Sequence, residues 1–92
     1  MKPHYVYILI CNDNTLYTGY TINLEKRLKK HNDGIASKYT RCRLPVSFAY
    51  VEKLDTKSDA LKREIAIKKL SRSQKIKLIQ ENRSGFNEFF ND

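Results

Sequence analysis

The stretch from Tyr5 to His31, YVYILICNDNTLYTGYTINLEKRLKKH, constrains the fold of this chain more than any other part of it. Residues 5–10 are all aromatic or branched aliphatic, a composition that favours a strand in a packed sheet. Residues 12–14 are turn-forming Asn and Asp, and residues 15–20 then return as a second strand. The sequence therefore predicts a β-hairpin at the start of the fold.

Alternate residues of a strand share one face of the sheet. On the first strand Tyr7 thus shares a face with Tyr5 and Leu9, and on the second strand Tyr17 shares a face with Gly19. A glycine beside Tyr17 leaves room at the backbone. We expect either a bulky ligand to approach there or a bulge to mark the strand end.

A helix is predicted directly after the hairpin. Either Thr21 or Asn23 is suited to cap it, and Gly34 is suited to end it. Arg27 and His31 are four residues apart on this helix, so their side chains lie along one edge of it.

The remaining elements complete a small domain. Residues 33–44 are expected to form a loop and residues 46–53 a third strand. A helix over DALKREIAIKKL follows, capped by Thr56 or Ser58, and then a helix over QKIKLIQEN that begins at Ser71 or Ser73. The fold class is therefore α/β (α+β), a three-stranded antiparallel or mixed sheet flanked by helices in the order β-β-α-β-α-α. We assign residues 1–83 to this domain and residues 84–92 to a C-terminal tail.

The charge balance favours a polyanionic partner. The 92 residues include 18 Lys and Arg against 10 Asp and Glu, for a formal net charge of +8. Nucleic acid is the commonest such partner, although a ribosome, an anionic membrane or simple solubility would give the same balance. The apolar run of residues 5–10 is too short for a signal peptide or a membrane span, which favours a cytoplasmic protein without a membrane partner. The two cysteines have no zinc-site spacing and are expected to be reduced, partly buried thiols, with a structural disulfide as the alternative.

Glu64 is the most informative position in the second helix. It lies on the line from Ala60 to Ile67, and the neighbouring Leu61 and Ile65 are expected to widen that apolar stripe. Burying a carboxylate costs free energy unless it has a partner, a metal ion or a cleft. The ordinary alternative is an ion pair with the lysine four residues later.

Each polar residue singled out so far has an ordinary structural role when it is taken alone. Arg27 and His31 fit a solvated basic helix, and Tyr7 and Tyr17 fit half-buried strand aromatics. Together with Glu64, however, they supply a phenol, a guanidinium, an imidazole and a carboxylate. That set is the one needed to cut a phosphodiester with one metal ion.

The sequence resembles a GIY-YIG nuclease domain, and in particular the small bacterial members that are little more than that domain. The two motif elements correspond to residues 5–7 and 17–19, and the likeness extends to about residue 79. The side chains that match the family's site are Tyr7, Tyr17, Arg27, His31 and Glu64.

Three departures accompany the resemblance. Tyr5 stands where the first motif has Gly, and Thr18 stands where the second has Ile, but neither side chain performs chemistry in the family. A late asparagine that some members use near the site is matched here only by residue type, at Asn82.

The resemblance implies a divalent-metal-dependent endonuclease acting on DNA, selective for structure and not for sequence, in DNA repair or recombination. In the implied mechanism Tyr17 is the general base toward water, Tyr7 orients that water, and Arg27 stabilises charge on the phosphate. His31 donates to or positions the same phosphate. Glu64 holds one Mg²⁺ or Mn²⁺ ion.

Binding is assigned to basic and aromatic residues around this site. They are Lys26, Lys30, Lys38, Tyr39, Arg41, Arg43, Arg63 and Lys68. Tyr39 is expected either to stack on a base or to pin its loop, and DNA is favoured over RNA as the partner.

Two alternatives stay open. One is a DNA- or RNA-binding protein with weak or no cleavage activity, in which the basic face is kept and the chemistry is lost. The other is an interaction protein whose tail, with Phe86, Phe89 and Phe90, docks a partner or a second copy to give a homodimer.

Overall fold

The structure is a computed structural model that describes residues 3–82, so the predicted tail at 84–92 lies outside the described residues. The elements are β1 (His4–Ile10), β2 (Leu16–Thr21), α1 (Leu24–Asn32), α2 (Lys38–Arg41), β3 (Ser47–Leu54), α3 (Lys57–Lys68) and α4 (Arg72–Glu81). The predicted order is confirmed, with one correction. The predicted loop contains the short helix α2.

The three strands form one antiparallel sheet in the order β2-β1-β3, which removes the mixed alternative. The central strand β1 pairs with both neighbours, and Tyr7 lies opposite Gly19 on one side and Val51 on the other. Because β1 is central, its backbone groups are satisfied on both edges and its side chains are covered on both faces. Residues 6–9 are accordingly all buried.

The sheet separates two apolar cores. The core on the α1 face contains Tyr7, Leu9, Leu24, Phe48 and Val51. The core on the α3 face contains Val6, Ile8, Tyr50, Ala60 and Ile67. The alternation of side chains along β1 therefore fixes which helix each residue meets, and it sends Tyr7 toward α1.

Local capping fixes where the helices begin. Of the predicted alternatives, Asn23 caps α1, Thr56 caps α3 and Ser71 caps α4, each by accepting a hydrogen bond from a backbone N–H of the first turn. Gly34 follows the end of α1 with a φ of +80°, a conformation that costs glycine little.

The stripe predicted on α3 is narrower than expected. Ala60 and Ile67 are buried, but Leu61 and Ile65 are 38% and 55% exposed, so their inclusion in the buried stripe was wrong. The helix lies on the sheet along one line of residues, and positions one residue away from that line turn outward.

Both cysteines are free thiols, as predicted, but Cys11 is buried and Cys42 is exposed, so the predicted partial burial of both was wrong. Among the described residues, no helix is both long enough and apolar enough to cross a membrane.

Thr18 offers a test of the packing on the α3 face. Its hydroxyl is buried and has no hydrogen-bond partner within residues 3–82, whereas the buried Thr21 hydroxyl bonds the backbone of Asn23 at 3.1 and 3.2 Å. Thr18→Val should therefore raise the free energy of unfolding by about 1 kcal/mol, and the matched Thr21→Val should lower it by about 1 kcal/mol. Urea unfolding of both variants measures this, and destabilisation by Thr18→Val would contradict it.

Candidate active site

Tyr7 lies at the centre of the predicted site and is fully buried. Its ring occupies the space that Gly19 leaves open, since a Cβ atom on Gly19 would lie 2.5 Å from Tyr7 Cζ. The residue pairing between β1 and β2 continues through Gly19 without a change of register. Both expectations for Gly19 were therefore wrong, because the side chain of Tyr7 fills the room and no bulge is present.

A chain of hydrogen bonds leads inward from the Tyr7 phenol. Tyr7 Oη lies 2.9 Å from His31 Nε2, and His31 Nδ1 lies 2.9 Å from Thr40 Oγ1. The Thr40 hydroxyl donates its hydrogen to the Ser37 carbonyl oxygen at 3.4 Å, so it accepts from His31. This assigns the proton to Nδ1, and Nε2 then accepts the phenolic hydrogen of Tyr7.

Burial keeps both members of this pair neutral. Removal from water, together with the positive charge of Arg27, lowers the pKa of His31 to about 4. Burial also raises the pKa of Tyr7 well above its ordinary value, although the Arg27 charge opposes that rise. At neutral pH the pair therefore exists as a phenol and an imidazole.

The role expected for His31 needs correction. Its side chain is 1% exposed, and both ring nitrogens are bonded to protein atoms, so it does not face a position where a phosphate would sit. His31 instead holds Tyr7 in place.

Arg27 is half-buried, and its positive charge lies near enough to the Tyr7 phenol to oppose the rise in the pKa of Tyr7. Arg27 carries no ion pair within residues 3–82, so its charge is available to an anion from outside.

Tyr17 is half-buried beside this chain. Its ring meets His31 edge-on at 5.3 Å between centroids and stacks on Tyr39 at 5.9 Å. The guanidinium of Arg43 in turn lies 4.0 Å from the centroid of the Tyr39 ring. Of the two roles expected for Tyr39, these contacts support pinning of the loop.

Glu64 reaches the site from the other side of the sheet. Its side chain is 18% exposed, and its carboxylate pairs with Lys68 at 3.3 Å, which is the ordinary ion pair that the sequence allowed. It is nevertheless near enough to Tyr7 that its negative charge adds to the effect of burial in raising the pKa of Tyr7. Glu64 is thus within electrostatic range of Tyr7, although α3 packs on the opposite face of the sheet.

The basic residues assigned to binding fall into two groups. Four are exposed and form no ion pair in the part of the chain that the structure describes: Lys26, Lys30, Lys38 and Arg41. Three others are held by carboxylates: Arg43 by Asp13 at 3.1 Å, Arg63 by Glu52 at 3.0 Å, and Lys68 by Glu64. Contact with a phosphate would cost this second group an existing partner.

Thr40 is a site residue that the sequence did not reveal. It is fully buried and fixes the imidazole of His31. Its segment, residues 37–41, drew attention only for Tyr39. A threonine in a predicted loop has no signature of burial, because that burial depends on where α2 docks.

Comparison with known proteins shows the family to which this sequence belongs. Residues 3–77 match the sequence profile described as the GIY-YIG catalytic domain. A UPF0213 protein of Staphylococcus saprophyticus is 56% identical over 81 residues, covering 88% of this chain and 99% of that protein, and one of Syntrophus aciditrophicus is 53% identical, covering 89% and 95%.

Solved structures agree with the sequence comparison. The solution structure of the UPF0213 protein of Bacillus halodurans has a TM-score of 0.56 and 42% identity, covering 85% of this chain and 83% of that one. A solution structure from E. faecalis has a TM-score of 0.62 and 44% identity, covering 90% and 88%.

The low pKa of His31 predicts a specific loss of stability in acid. Because that pKa is about 4 in the folded chain and about 6.5 when unfolded, the unfolded state binds the extra proton between these values. The contribution of neutral His31 is therefore complete above about pH 6.5 and is lost as the pH falls toward 4.

Urea unfolding at about pH 7 and about pH 4.5 measures this loss. Between the two conditions the wild type should lose about 2 kcal/mol more unfolding free energy than His31→Gln, whose side chain does not titrate. Equal losses in the two proteins would show that His31 is not the responsible group.

Proposed function

Because the chain belongs to the GIY-YIG family, we propose that it is a divalent-metal-dependent endonuclease that hydrolyses phosphodiester bonds in DNA. The observation that carries this proposal is the division of the site into two layers. The buried layer is Tyr7 with His31 and Thr40, and the outer layer consists of three incompletely buried groups. These are the Tyr17 phenol, the Arg27 guanidinium and the Glu64 carboxylate.

Arg27 stabilises the negative charge that develops on the phosphate. The guanidinium lies near the Tyr7 oxygen, and the hydrogen of that phenol is committed to His31, so in this proposal the phenol oxygen orients Arg27 before substrate binds. A donor that is already oriented loses little free energy to reorganisation as the charge develops. Tyr7 and His31 are thus positioning residues for Arg27.

Tyr17 is the general base in this proposal. Of the phenols of Tyr7 and Tyr17, only that of Tyr17 is partly exposed to solvent. Tyr7 is fully buried and donates its hydrogen to His31. As phenolate it takes a proton from the attacking water while the water oxygen bonds to phosphorus and the leaving oxygen departs.

The donor set at Glu64 suits one oxygen-preferring ion. Within residues 3–82 no three His, Cys, Asp or Glu side chains cluster, so Glu64 would be the protein ligand of an ion that keeps most of its water ligands, as Mg²⁺ usually does. When bound, Mg²⁺ or Mn²⁺ supplies positive charge that offsets the charge developing on the phosphate. Lys68, at 3.3 Å, is the cation that the metal must displace.

The surroundings favour selection by structure over selection by sequence. The exposed Lys26, Lys30, Lys38 and Arg41 are suited to contact backbone phosphates, which carry no sequence information. We therefore propose branched, nicked or single-stranded DNA as substrate and DNA repair or recombination as the setting.

One observation favours a second function, nucleic-acid binding with little or no cleavage. The Glu64 carboxylate is already neutralised by Lys68, which weakens its attraction for a metal ion. In that case the basic surface binds DNA or RNA and the chemistry does not proceed.

Cleavage assays separate the two functions. Wild type should cut plasmid or branched DNA with Mg²⁺ or Mn²⁺ and not in EDTA, and Tyr17→Phe, Arg27→Ala and Glu64→Gln should each lower the rate by about 100-fold or more. Tyr20→Phe is a matched control, since its phenol bonds His4 at 2.8 Å and packs on the α3 face. Cutting in EDTA, or cutting that survives Glu64→Gln unchanged, would refute the nuclease proposal.

Metal binding can be measured without activity. Calorimetric titration with Mn²⁺ should detect one site that Glu64→Gln removes, because the site then lacks its carboxylate. Lys68→Met should tighten binding by about 10-fold, since the competing cation is gone. The control is the ion pair of Lys77 and Glu81, which are 3.9 Å apart at exposed positions on α4. Neither Glu81→Gln nor Lys77→Met should change the affinity for Mn²⁺. Weaker binding in Lys68→Met would contradict the proposed competition.

A further inference from the structure

We propose that one strand of the nucleic acid crosses the site along β2 and is held by backbone phosphates in two cationic clefts, one at each end of that strand. The inference rests on the proposed function, because it takes Tyr17 and Arg27 as the place of cleavage. It adds the path of the substrate and four residues that fix it: Lys26, Lys30, Arg72 and Lys75.

The first cleft, the α1 cleft, has a volume of about 300 Å³. Its lining residues are Thr21, Ile22, Asn23, Lys26, Arg27 and Lys30. None of its three cations forms an ion pair within residues 3–82. The neighbouring Lys29, by contrast, is paired with Asp33 at 2.7 Å. Since Arg27 belongs both to this cleft and to the catalytic site, a phosphate bound here lies next to the one that Arg27 contacts.

The second cleft, the α4 cleft, has a volume of about 260 Å³ and joins three elements that are distant in sequence. Its lining residues are Thr15, Leu16, Tyr39, Arg72 and Lys75. Arg72 and Lys75, from the first turn and a half of α4, form no ion pair with any described residue. Tyr39 forms one wall and stacks on Tyr17, so this cleft adjoins the proposed general base.

The two clefts lie at opposite ends of β2. The α4 cleft includes Leu16 and the α1 cleft includes Thr21, which are the first and last residues of the strand. Five steps along an antiparallel strand cover about 17 Å. A single strand is more extended than a strand of a duplex, which rises about 3.4 Å per nucleotide along the axis, so that distance corresponds to at most about five nucleotides. Tyr17 and Arg27 then lie within the span, with a phosphate contact on either side of the reacting bond.

The shape of this surface favours a strand over an anionic membrane. Five cations that form no ion pair within residues 3–82 line two concave clefts: Lys26, Arg27, Lys30, Arg72 and Lys75. Lysine and arginine in such a pocket contact individual phosphates at a set spacing, whereas a lipid surface would be met by a continuous exposed face. Contacts at two fixed points also explain how a chain of this size could orient a strand across its site.

Binding of single-stranded DNA in EDTA tests the path independently of cleavage. Fluorescence anisotropy with oligonucleotides of two to ten residues should show affinity that rises to about five nucleotides and then levels off. Lys26→Gln with Lys30→Gln, and separately Arg72→Gln with Lys75→Gln, should each weaken binding of the longer oligonucleotides by about 10-fold. Each double variant should also lower the slope of log affinity against log salt by about 1.4, the value for two single-strand phosphates.

The matched control is Lys57→Gln with Lys62→Gln, which removes the same charge from exposed positions on α3 outside both clefts. It should weaken binding by less than about twofold. Urea unfolding midpoints confirm that all three double variants fold.

The outcomes for the path and for the nuclease function are distinguishable. If wild type cuts DNA but both cleft variants bind as tightly as the control, the path is wrong and the nuclease proposal stands. If the cleft variants lose binding but no metal supports cutting, the path stands and the nuclease proposal fails. Tighter binding to anionic vesicles than to DNA, lost in the same variants, would overturn the path in favour of a membrane surface.

Discussion

The hydrogen bond from the buried Tyr7 phenol to His31 is the constraint on which the rest of the site depends. A hydroxyl in the interior costs roughly 1–3 kcal/mol if it is left without a partner. Tyr7 comes from the central strand, His31 from α1 and Thr40 from α2, so satisfying this one group fixes the docking of three elements. The absence of a side chain at position 19 is what allows the ring to lie there.

The buried chain also decides which groups are left for chemistry. Tyr7 and His31 are neutral and hydrogen-bonded to each other, with the positive charge of Arg27 nearby. In the proposed nuclease this buried pair would orient Arg27 before substrate binds, and such preorganisation is the usual source of electrostatic stabilisation in enzymes.

The chain has a net charge of +8, and in the folded protein some of its cations are paired with carboxylates while others are free. Carboxylates hold Arg43, Arg63 and Lys68; the first pair joins two loops, the second joins α3 to β3, and the third lies within α3. Among residues 3–82, free cations line the two clefts at the ends of β2 and also lie on α2, β3 and α3. The overall charge therefore overstates the surface available to a polyanion, and the position of the free charges is more informative than their number.

Sequence alone determined the features that depend on neighbours along the chain. The β-hairpin, the strand order in sequence, the capping residues and the i,i+4 spacing of Glu64 and Lys68 follow from local composition and helical geometry, and the five site residues followed from a family pattern of fixed spacing. Only the tertiary structure decided that Tyr7 fills the space at Gly19, that His31 faces inward and that Thr40 supports it. Leu61 and Ile65 turned outward for the same reason. These outcomes depend on how separate elements pack against one another, and that packing is set by shape and by hydrogen-bond satisfaction across the fold, which no local pattern records.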